Sequence, residues 1–460
     1  MNTEVILMPK TTGQKQTTLR FYTETIEVSR LSAHAFFEAG DEKYKGKRFF
    51  WQNKEKTLTL VGLGHAHTIS NRLEDNRYAD IDAKWKELCS ASLKEQVDVS
   101  PILFGGFAFD PKNKIASEWD NFPSAFFVVA TFQLVIQHDQ AFVSIHYITN
   151  EEESADVFER LRIERDALIH TAQVKELQVH AKPVLVNRED KGKEQYLHAV
   201  EDVTKRIRAE EVEKVVIARS LKLTFDEDFS KATAIYHAAM EQPESYLFGL
   251  ENGDQMFFGA TPERLVKVEN EKVQSAGLAG SVRRGKNSVE DKALGDALLA
   301  DPKNLGEHKY VVEMIRKVFT QYCKDLKVPA RPKLMKVRDI QHLYTPIEGH
   351  LKKDSSLFAL VQALHPTPAL GGEPRQDAIN IIRESEQMNR GYYAAPIGWI
   401  NTEGDGEFAV GIRSALIENE HAYLYAGGGI VAESSSIEEF EETRVKFRPM
   451  LRTLGGNMND

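Results

Sequence analysis

The fold class is decided by one stretch, SYLFGLENGDQMFFGATPERLVKVENEKVQSA, at residues 245–276. Four short strand-like runs follow one another directly there, at 245–250, 255–260, 264–268 and 272–276. Helical patterns lie on both sides, at 194–210 and 230–241 before the stretch and at 288–300 and 305–325 after it. Strands that adjoin strands and are flanked by helices predict α+β layers with antiparallel sheets rather than a repeating βαβ barrel.

The first 185 residues or so predict a similar mixture. Strand-like runs occur at 57–64, 125–137 and 141–149, and a charged helical stretch covers 151–177. The most plausible boundary between two parts of the chain is the polar segment NREDKGKEQ at 187–195, because the sequence has no long Pro/Gly-rich linker. We therefore expect an N-terminal part, 1–187, and a part richer in motifs, 188–460, packed as one unit.

The bulk composition favours a small-molecule partner. The chain has 460 residues and a formal net charge of −10. This charge argues against a nucleic-acid or anionic-membrane partner, since such surfaces need clustered Lys and Arg. The longest apolar run near the start covers only residues 5–8, so we expect neither a signal peptide nor a membrane span, and a cytoplasmic protein. Cys89 and Cys323 have no metal or redox spacing and are expected to be reduced and packed.

A lysine stands at the beginning of an apolar strand in EVEKVVIARS, residues 211–220. Alternation along the strand places Lys214 on the same face as Val216 and Ala218. Unless the side chain extends back to solvent, its ammonium is directed toward an apolar interior.

Two helices carry acids at positions where a partner is needed. Glu307 shares a helical stripe with Val311, Ile315 and Val318, so its carboxylate faces inward unless it is a solvated first-turn acid. On the helix after 434–436, Glu439, Glu442 and Lys446 can lie on one face, although a solvated ion-paired face is the simpler alternative. Three carboxylates without Cys or His suit Mg²⁺.

Three further features are suited to an anionic ligand. Gly427, Gly428 and Gly429 end a strand and allow close approach of a ligand to backbone N–H groups. The triplet with Ala432 also fits a dinucleotide fingerprint, but no βαβ unit follows. Arg413, within the apolar strand 406–417, presents a fork that matches a carboxylate; the alternative is a structural partner for a buried acid.

Glu263 lies in FGATPERLV, directly after Pro262 at the junction of two strand runs. A carboxyl held beside apolar walls can have a raised pKa and act as a general acid. The alternative is a turn residue paired with Arg264. A different class of enzyme is suggested by His65 and His67, which resemble an H-x-H zinc motif without later ligands.

Together these stretches resemble the chorismate-utilising enzymes. The resemblance covers residues 195–452 and rests on motifs in the family's order: EKVVIARS, FGATPERL, GLAGSVRRG, NLGEHKYVVEMI, IQHLYTPIEGHL, LHPTPALGGEPR, MNRGYYAAPIGWI, VGIRSALI and AGGGIVAESSSIEEFEETRVK. It implies two large, mostly antiparallel sheets packed together and flanked by helices, with chorismate as the substrate and residues 188–460 as the catalytic part.

The resemblance also implies a branch of the family. Aminodeoxychorismate synthases carry a nucleophilic lysine where Ala279 stands here, and ammonia-using members carry glutamine in place of Lys214. A lysine there implies water as the nucleophile, without an amidotransferase subunit, and isochorismate as the product. Salicylate formation is the nearest rival, and a binding subunit without activity is a third possibility. The long N-terminal part is more similar to menaquinone-pathway than to siderophore-pathway enzymes.

The roles implied by the resemblance are as follows. Lys214 is the general base and Glu263 the general acid. Glu307, Glu442 and Glu439 hold Mg²⁺, with Glu439 bound directly or through water. The substrate is held or enclosed by a set of family-motif residues: Leu278, His342, Ala369, Tyr393, Arg413, Gly427, Gly428, Gly429 and Lys446. His342, like His365, has a hydrogen-bonded core histidine as its alternative.

Overall fold

The structure is a computed structural model that describes residues 19–29, 31–90, 99–115, 118–150, 155–174, 181–190, 192–338 and 340–456. These residues contain 20 strands: β1 (Arg20–Val28), β2 (Arg48–Gln52), β3 (Leu58–Asn71), β4 (Ile102–Phe107), β5 (Ala125–Gln137), β6 (Gln140–Thr149), β7 (Leu185–Glu189), β8 (Lys214–Phe225), β9 (Tyr246–Asn252), β10 (Gln255–Thr261), β11 (Arg264–Glu269), β12 (Lys272–Arg283), β13 (Cys323–Lys327), β14 (Lys333–Lys336), β15 (Ile340–Leu351), β16 (Gly372–Glu373), β17 (Pro396–Asn401), β18 (Gly406–Val410), β19 (Ser414–Glu418) and β20 (His421–Ile430).

The helices of the described residues are α1 (Ala33–Ala39), α2 (Asp41–Tyr44), α3 (Arg77–Ser90), α4 (Ala155–Val174), α5 (Lys193–Arg208), α6 (Lys231–Glu241), α7 (Ser288–Ala300), α8 (Pro302–Tyr322), α9 (Leu357–Leu364), α10 (Arg375–Ser385) and α11 (Ser436–Leu454). None of them combines the length and the hydrophobicity that a bilayer-spanning helix requires. Most predicted elements are present with shifted ends. The strand predicted at 272–276, for example, continues to Arg283.

The strands form two sheets in which the pairings are antiparallel. Sheet I has the order β1-β6-β5-β3-β2-β9-β10-β19-β20-β8, and β7 and β16 both pair with the outer edge of β8. Sheet II has the order β4-β17-β18-β11-β12-β15, and β13 and β14 both pair with the outer edge of β15. The two sheets are joined where β4 pairs with β5. The predicted α+β class with antiparallel sheets is confirmed.

The core lies between the sheets and under the helices. In β2, Phe49 and Trp51 belong to the cluster between the sheets, whereas Phe50 belongs to the cluster under α1, α4, α6 and α11. Phe49 of sheet I stacks on Phe104 of sheet II, with ring centroids 4.6 Å apart. Because both faces of sheet I are covered, its central strands are apolar runs without polar alternation.

The chain crosses between the sheets at two neighbouring places. It leaves sheet I after β10 and enters sheet II at β11, through Pro262 and Glu263. It returns from β18 to β19 through residues 411–413. The Val410 N–H donates to the carbonyl oxygen of Glu263, and the Ala260 N–H donates to that of Arg413, both at 3.1 Å. Glu263 and Arg413 therefore stand side by side at the boundary of the two sheets.

The prediction that Arg413 lies within one apolar strand, 406–417, is wrong. The run is two strands in two sheets, and Arg413 occupies the turn between them with φ of 49°. A residue with a β-carbon adopts this left-handed conformation only where its surroundings impose it. Here the crossing of the chain imposes it.

Candidate active site

Lys214 is the first residue of β8, and its ammonium lies close to an acid of α8. The Nζ atom is 3.9 Å from Glu307 Oε2, and the Lys214 side chain is 16% exposed. Burial lowers the pKa of Lys214 below its ordinary value; the charge of Lys446 adds to this effect, while Glu307, Glu439 and Glu442 oppose it. The lysine therefore lies in a partly desolvated site in which the charges of three carboxylates act on its ammonium.

The strand that carries Lys214 is fixed by a buried ion pair that the sequence reasoning missed. Glu386 Oε1 accepts a hydrogen bond from the Ala218 N–H at 2.7 Å, and Glu386 Oε2 accepts from Arg390 Nε at 2.9 Å. Arg390 also donates to the carbonyl oxygen of Val216 at 2.8 Å. The spacing of four residues between Glu386 and Arg390 was the available signal. The Glu386–Arg390 pair therefore makes backbone hydrogen bonds to this part of β8 that a neighbouring strand would otherwise make.

Gly427, Gly428 and Gly429 lie within β20, along one edge of the strand, and not in a turn between a strand and a helix. A β-carbon on Gly429 would lie 2.8 Å from Lys214 Cε, so glycine leaves room for the lysine. The carbonyl oxygen of Gly427 accepts from Lys446 Nζ at 2.7 Å. Tyr393 stacks on Tyr425 at 5.3 Å, and its hydroxyl is hydrogen-bonded to the Gly427 backbone. Lys446 and Tyr393 therefore both hydrogen-bond to the backbone of Gly427.

The carboxylates of α11 face the same edge. Ser434 Oγ donates to Glu439 Oε1 at 2.7 Å, and Lys446 Nζ binds Glu442 Oε1 at 2.6 Å. Burial raises the pKa of Glu439, and the charge of Glu442 raises it further. Burial also acts to raise the pKa of Glu442, but Lys446, Arg413 and Lys214 lower it below its ordinary value. The α11 carboxylates thus repel one another and are held by nearby cations.

The donor set fits a hard divalent cation, although the side chains are not arranged around a common point. Within the ranges that the structure describes, no three His, Cys, Asp or Glu side chains form a ready metal cluster. Instead the charges of Glu307, Glu439 and Glu442 all act on the ammonium of Lys214, and the Glu307 carboxylate lies 3.9 Å from it. The charge of Glu442 raises the pKa of Glu439, so these carboxylates repel each other. A divalent cation bound by the oxygen atoms of the three carboxylates would relieve that repulsion. The chemistry of these residues is therefore compatible with Mg²⁺.

Glu263 has the properties of a general acid. Burial raises the pKa of its carboxyl to about 7, and the nearby charge of Arg413 partly opposes this shift. The alternative of an ion pair with Arg264 is wrong, since Arg264 Nε instead donates to Glu407 Oε1 at 2.7 Å. Arg413 also lowers the pKa of Glu442. The charge of Arg413 therefore acts both on the acid at the sheet crossing and on a carboxylate of α11.

The comparisons with known proteins identify the family of the chain. A family model described as chorismate binding enzyme matches residues 7–455. The chain belongs to this family. It is 40% identical over 439 residues to isochorismate synthase MenF of Bacillus subtilis, with 94% of this chain and 92% of that protein covered. It is 32% identical over 437 residues to the salicylate biosynthesis isochorismate synthase of Pseudomonas aeruginosa, with 94% and 90% covered.

The fold also agrees with that of a solved structure. The menaquinone-specific isochorismate synthase MenF from Escherichia coli superimposes with a TM-score of 0.80 at 24% sequence identity, and 95% of each chain is covered. At this identity the likeness concerns the fold. It places sheet I, sheet II and the flanking helices of this chorismate-binding enzyme in the same architecture.

His342 and Leu278 lie on β15 and β12 of this chorismate-binding enzyme. Burial, together with the charges of Arg413, Lys446 and Lys54, lowers the pKa of His342 to about 3, so its imidazole is neutral. Leu278 pairs with Tyr344, which shares a strand face with His342. Lys54, from the loop between β2 and β3, was missed by the sequence reasoning because no motif covers it.

Other histidines lie away from this site. His365 is 6% exposed, its Nε2 lies 3.4 Å from the carbonyl oxygen of Phe109, and it is a core histidine. Burial lowers the pKa of His65 to about 4 and also lowers that of His67, both in β3. Ala369 lies in the turn two residues before Gly371, whose carbonyl oxygen accepts from the Val216 N–H at 2.8 Å. Its contact with substrate stays a prediction.

Proposed function

We propose that this chorismate-binding enzyme is an isochorismate synthase of the menaquinone type, which converts chorismate to isochorismate with Mg²⁺. The observation that carries the proposal is Lys214, partly desolvated at the start of β8 with its Nζ 3.9 Å from Glu307. A lysine with a lowered pKa at this position suits water as the nucleophile. The MenF relative, 40% identical over 94% of this chain, supports the same assignment.

In the proposed reaction Lys214 acts first, as a general base. The neutral amine removes a proton from a water molecule while the water oxygen forms a bond to C2 of chorismate. Burial disfavours the ammonium form and lowers the pKa of Lys214, which favours the neutral amine that this role requires. The carboxylates of Glu307, Glu439 and Glu442 then stabilise the ammonium that results.

Glu263 completes the reaction as the general acid. As the new C2–O bond forms, the ring double bonds shift and the C4–O bond breaks. Glu263 gives its proton to the departing hydroxyl, which leaves as water. With a pKa of about 7, a large fraction of the carboxyl is protonated at neutral pH. Water is added and water is lost, so the overall change is an isomerisation, and solvent returns both side chains to their starting protonation states.

The remaining residues bind and orient the dianionic substrate. Glu307, Glu439 and Glu442 would hold Mg²⁺, which when bound neutralises a substrate carboxylate and fixes the ring. Arg413 and Lys446 supply positive charge beside the Gly427–Gly429 backbone. Tyr393 adds a hydroxyl at Gly427. Leu278 and His342, on the neighbouring strands β12 and β15, would line the substrate pocket. Since water is the nucleophile, no amidotransferase subunit is needed.

The test is an incubation of the purified protein with chorismate and MgCl₂, followed by chromatography of the products. Isochorismate as the main product is expected. The second candidate is salicylate synthesis, in which the same first step is followed by loss of pyruvate. It is considered because the shared lysine does not distinguish the two activities. Salicylate and pyruvate as main products would overturn the assignment, and binding of chorismate without turnover would indicate an inactive binding subunit.

A further inference from the structure

The hydroxyl of Tyr196, on α5, lacks a hydrogen-bond partner among the described residues. The Tyr196 side chain is 3% exposed, and its hydroxyl oxygen is buried. Buried hydroxyl groups in native proteins nearly always have a partner, either from the protein or from an ordered water molecule. An unpaired one therefore points to a binding partner that protein atoms alone do not supply.

The space beside this hydroxyl is bordered by Glu439. A β-carbon on Gly428 would lie 2.7 Å from Glu439 Oε2 and 3.3 Å from the Tyr196 hydroxyl oxygen. Both oxygen atoms thus adjoin the space left by the missing side chain of Gly428. Burial raises the pKa of Tyr196 and the charge of Glu439 raises it further, as expected for a carboxylate close by.

The two oxygen atoms of Glu439 differ in their surroundings. Oε1 accepts a hydrogen bond from Ser434 Oγ at 2.7 Å. Oε2 faces the space over Gly428. A water molecule there has a donor in Tyr196 and an acceptor in Glu439, the minimum of two polar partners that a buried water needs.

We propose that Tyr196 is a positioning residue for Glu439 and acts through one water molecule held over Gly428. The Tyr196 hydroxyl donates to the water, and the water donates to Glu439 Oε2. Ser434 and this water then fix both oxygen atoms of a carboxylate that would hold Mg²⁺. The inference rests on the proposed function, because it assigns Glu439 to the metal.

Removing such an outer partner weakens metal affinity by about 10- to 100-fold. Tyr196→Phe deletes the hydroxyl and keeps the ring. This variant should bind Mg²⁺ at least about tenfold more weakly in isothermal titration of MgCl₂ into the protein. At saturating MgCl₂ the KM for chorismate should stay within about twofold for Tyr196→Phe, a separation that a general loss of structure would not give.

The matched control is Tyr147→Phe, which deletes a hydroxyl on β6, where the ring packs against Tyr22 and Phe158. Its Mg²⁺ affinity should equal that of the unchanged protein. Circular dichroism and thermal melts establish that each variant is folded. A crystal structure of the unchanged protein should show the water over Gly428. An empty position there, or unchanged Mg²⁺ affinity in Tyr196→Phe, overturns the proposal.

Failure of this inference is distinguishable from failure of the proposed function. If the unchanged protein makes isochorismate and Glu439→Gln weakens Mg²⁺ binding while Tyr196→Phe does not, only the role of Tyr196 is wrong. If chorismate gives no isochorismate, the proposed function itself fails.

Discussion

Burial shifts the pKa values of the two proposed catalytic side chains in opposite directions. It lowers the pKa of the Lys214 ammonium and raises that of the Glu263 carboxyl to about 7. In each case the uncharged form is favoured, since a desolvated charge is costly. The uncharged amine is the base and the uncharged carboxyl is the acid. One physical effect therefore prepares both partners of an acid–base pair.

Substituting either partner should remove one limb of the pH profile. Lys214→Ala and Glu263→Gln should each lower kcat by at least about 100-fold. If the proposed roles hold, the rate of the unchanged protein should rise with pH as Lys214 loses its proton and fall at high pH as Glu263 loses its own. Residual activity of Glu263→Gln should therefore rise with pH without an alkaline decline, and that of Lys214→Ala should decline above pH of about 7.

The controls for these substitutions are Lys222→Ala, on the same strand, and Glu269→Gln, at the end of β11. Both should retain the rate and the profile of the unchanged protein. A normal rate in Lys214→Ala or Glu263→Gln would refute the role given to that residue.

Glu307→Gln should increase the Mg²⁺ concentration needed for half-maximal activity. The amide keeps the shape of the carboxylate but lacks the negative charge that a hard divalent cation prefers. We expect a shift of about 10-fold or more, measured by titrating MgCl₂ at saturating chorismate. Glu313→Gln, on the same helix and half exposed, is the control. Coincident titration curves for Glu307→Gln and the unchanged protein would count against Glu307 as a ligand.

Single residues show how far sequence reasoning reached. The helical stripe predicts that Glu307 faces inward, but on spacing alone a solvated first-turn acid is an equal alternative, and only the family motifs favour the first. Tyr196 was missed because it shares the apolar stripe of α5 with Ala199 and Val203, which predicts a core tyrosine. That prediction describes the ring correctly and overlooks the hydroxyl, since periodicity carries no information about polar partners across the fold.

At the scale of elements, the sequence predicted strands better than their sheets. The run 406–417 is mostly apolar, which predicts a single strand. The two halves pair with different sheets, β18 with β11 and β17, and β19 with β10 and β20. Hydrophobic periodicity indicates which residues are buried, but it does not identify the strand or helix that buries them. The crossing that places Arg413 beside Glu263 could therefore be seen only in the structure.

The glycine edge of β20 supports a prediction at this scale. Gly429→Ala should lower kcat by about tenfold or more with little loss of stability. The new methyl group would approach Lys214 Cε, the flexible end of a side chain, so the lysine moves aside while the strand remains paired. Steady-state kinetics and thermal melts measure the two effects separately.

The control for this prediction is Gly306→Ala, in α8. No atom lies within 4 Å of the added β-carbon. This variant should gain about 0.5–1 kcal/mol of stability from helix propensity and keep its activity. An active Gly429→Ala variant would show that the position of Lys214 does not depend on this glycine.

At the scale of the whole molecule, the parts before and after residue 187 share their sheets. Strand β2 pairs with β9, and β4 pairs with β17. The predicted boundary itself falls within β7. We propose that the two parts fold as one unit. Sequence patterns could not test this, because strand partners lie hundreds of residues apart and neither strand encodes the identity of its neighbour.

A buried ion pair between the two parts gives the last prediction. Arg48 of β2 donates through Nε and Nη2 to both oxygen atoms of Glu251 of β9, at 2.9 and 2.7 Å, and both side chains are 0% exposed. Glu251→Ala leaves a buried guanidinium whose remaining acid partner, Asp41, is half exposed. It should cost about 3–5 kcal/mol in the free energy of unfolding. Glu55→Ala, which removes an exposed acid 3.7 Å from Arg264, should cost about 1 kcal/mol or less.

Urea denaturation followed by tryptophan fluorescence and by circular dichroism should give one coincident transition in each variant. Two separated transitions, or equal costs for the two substitutions, would contradict a single folding unit joined through this pair.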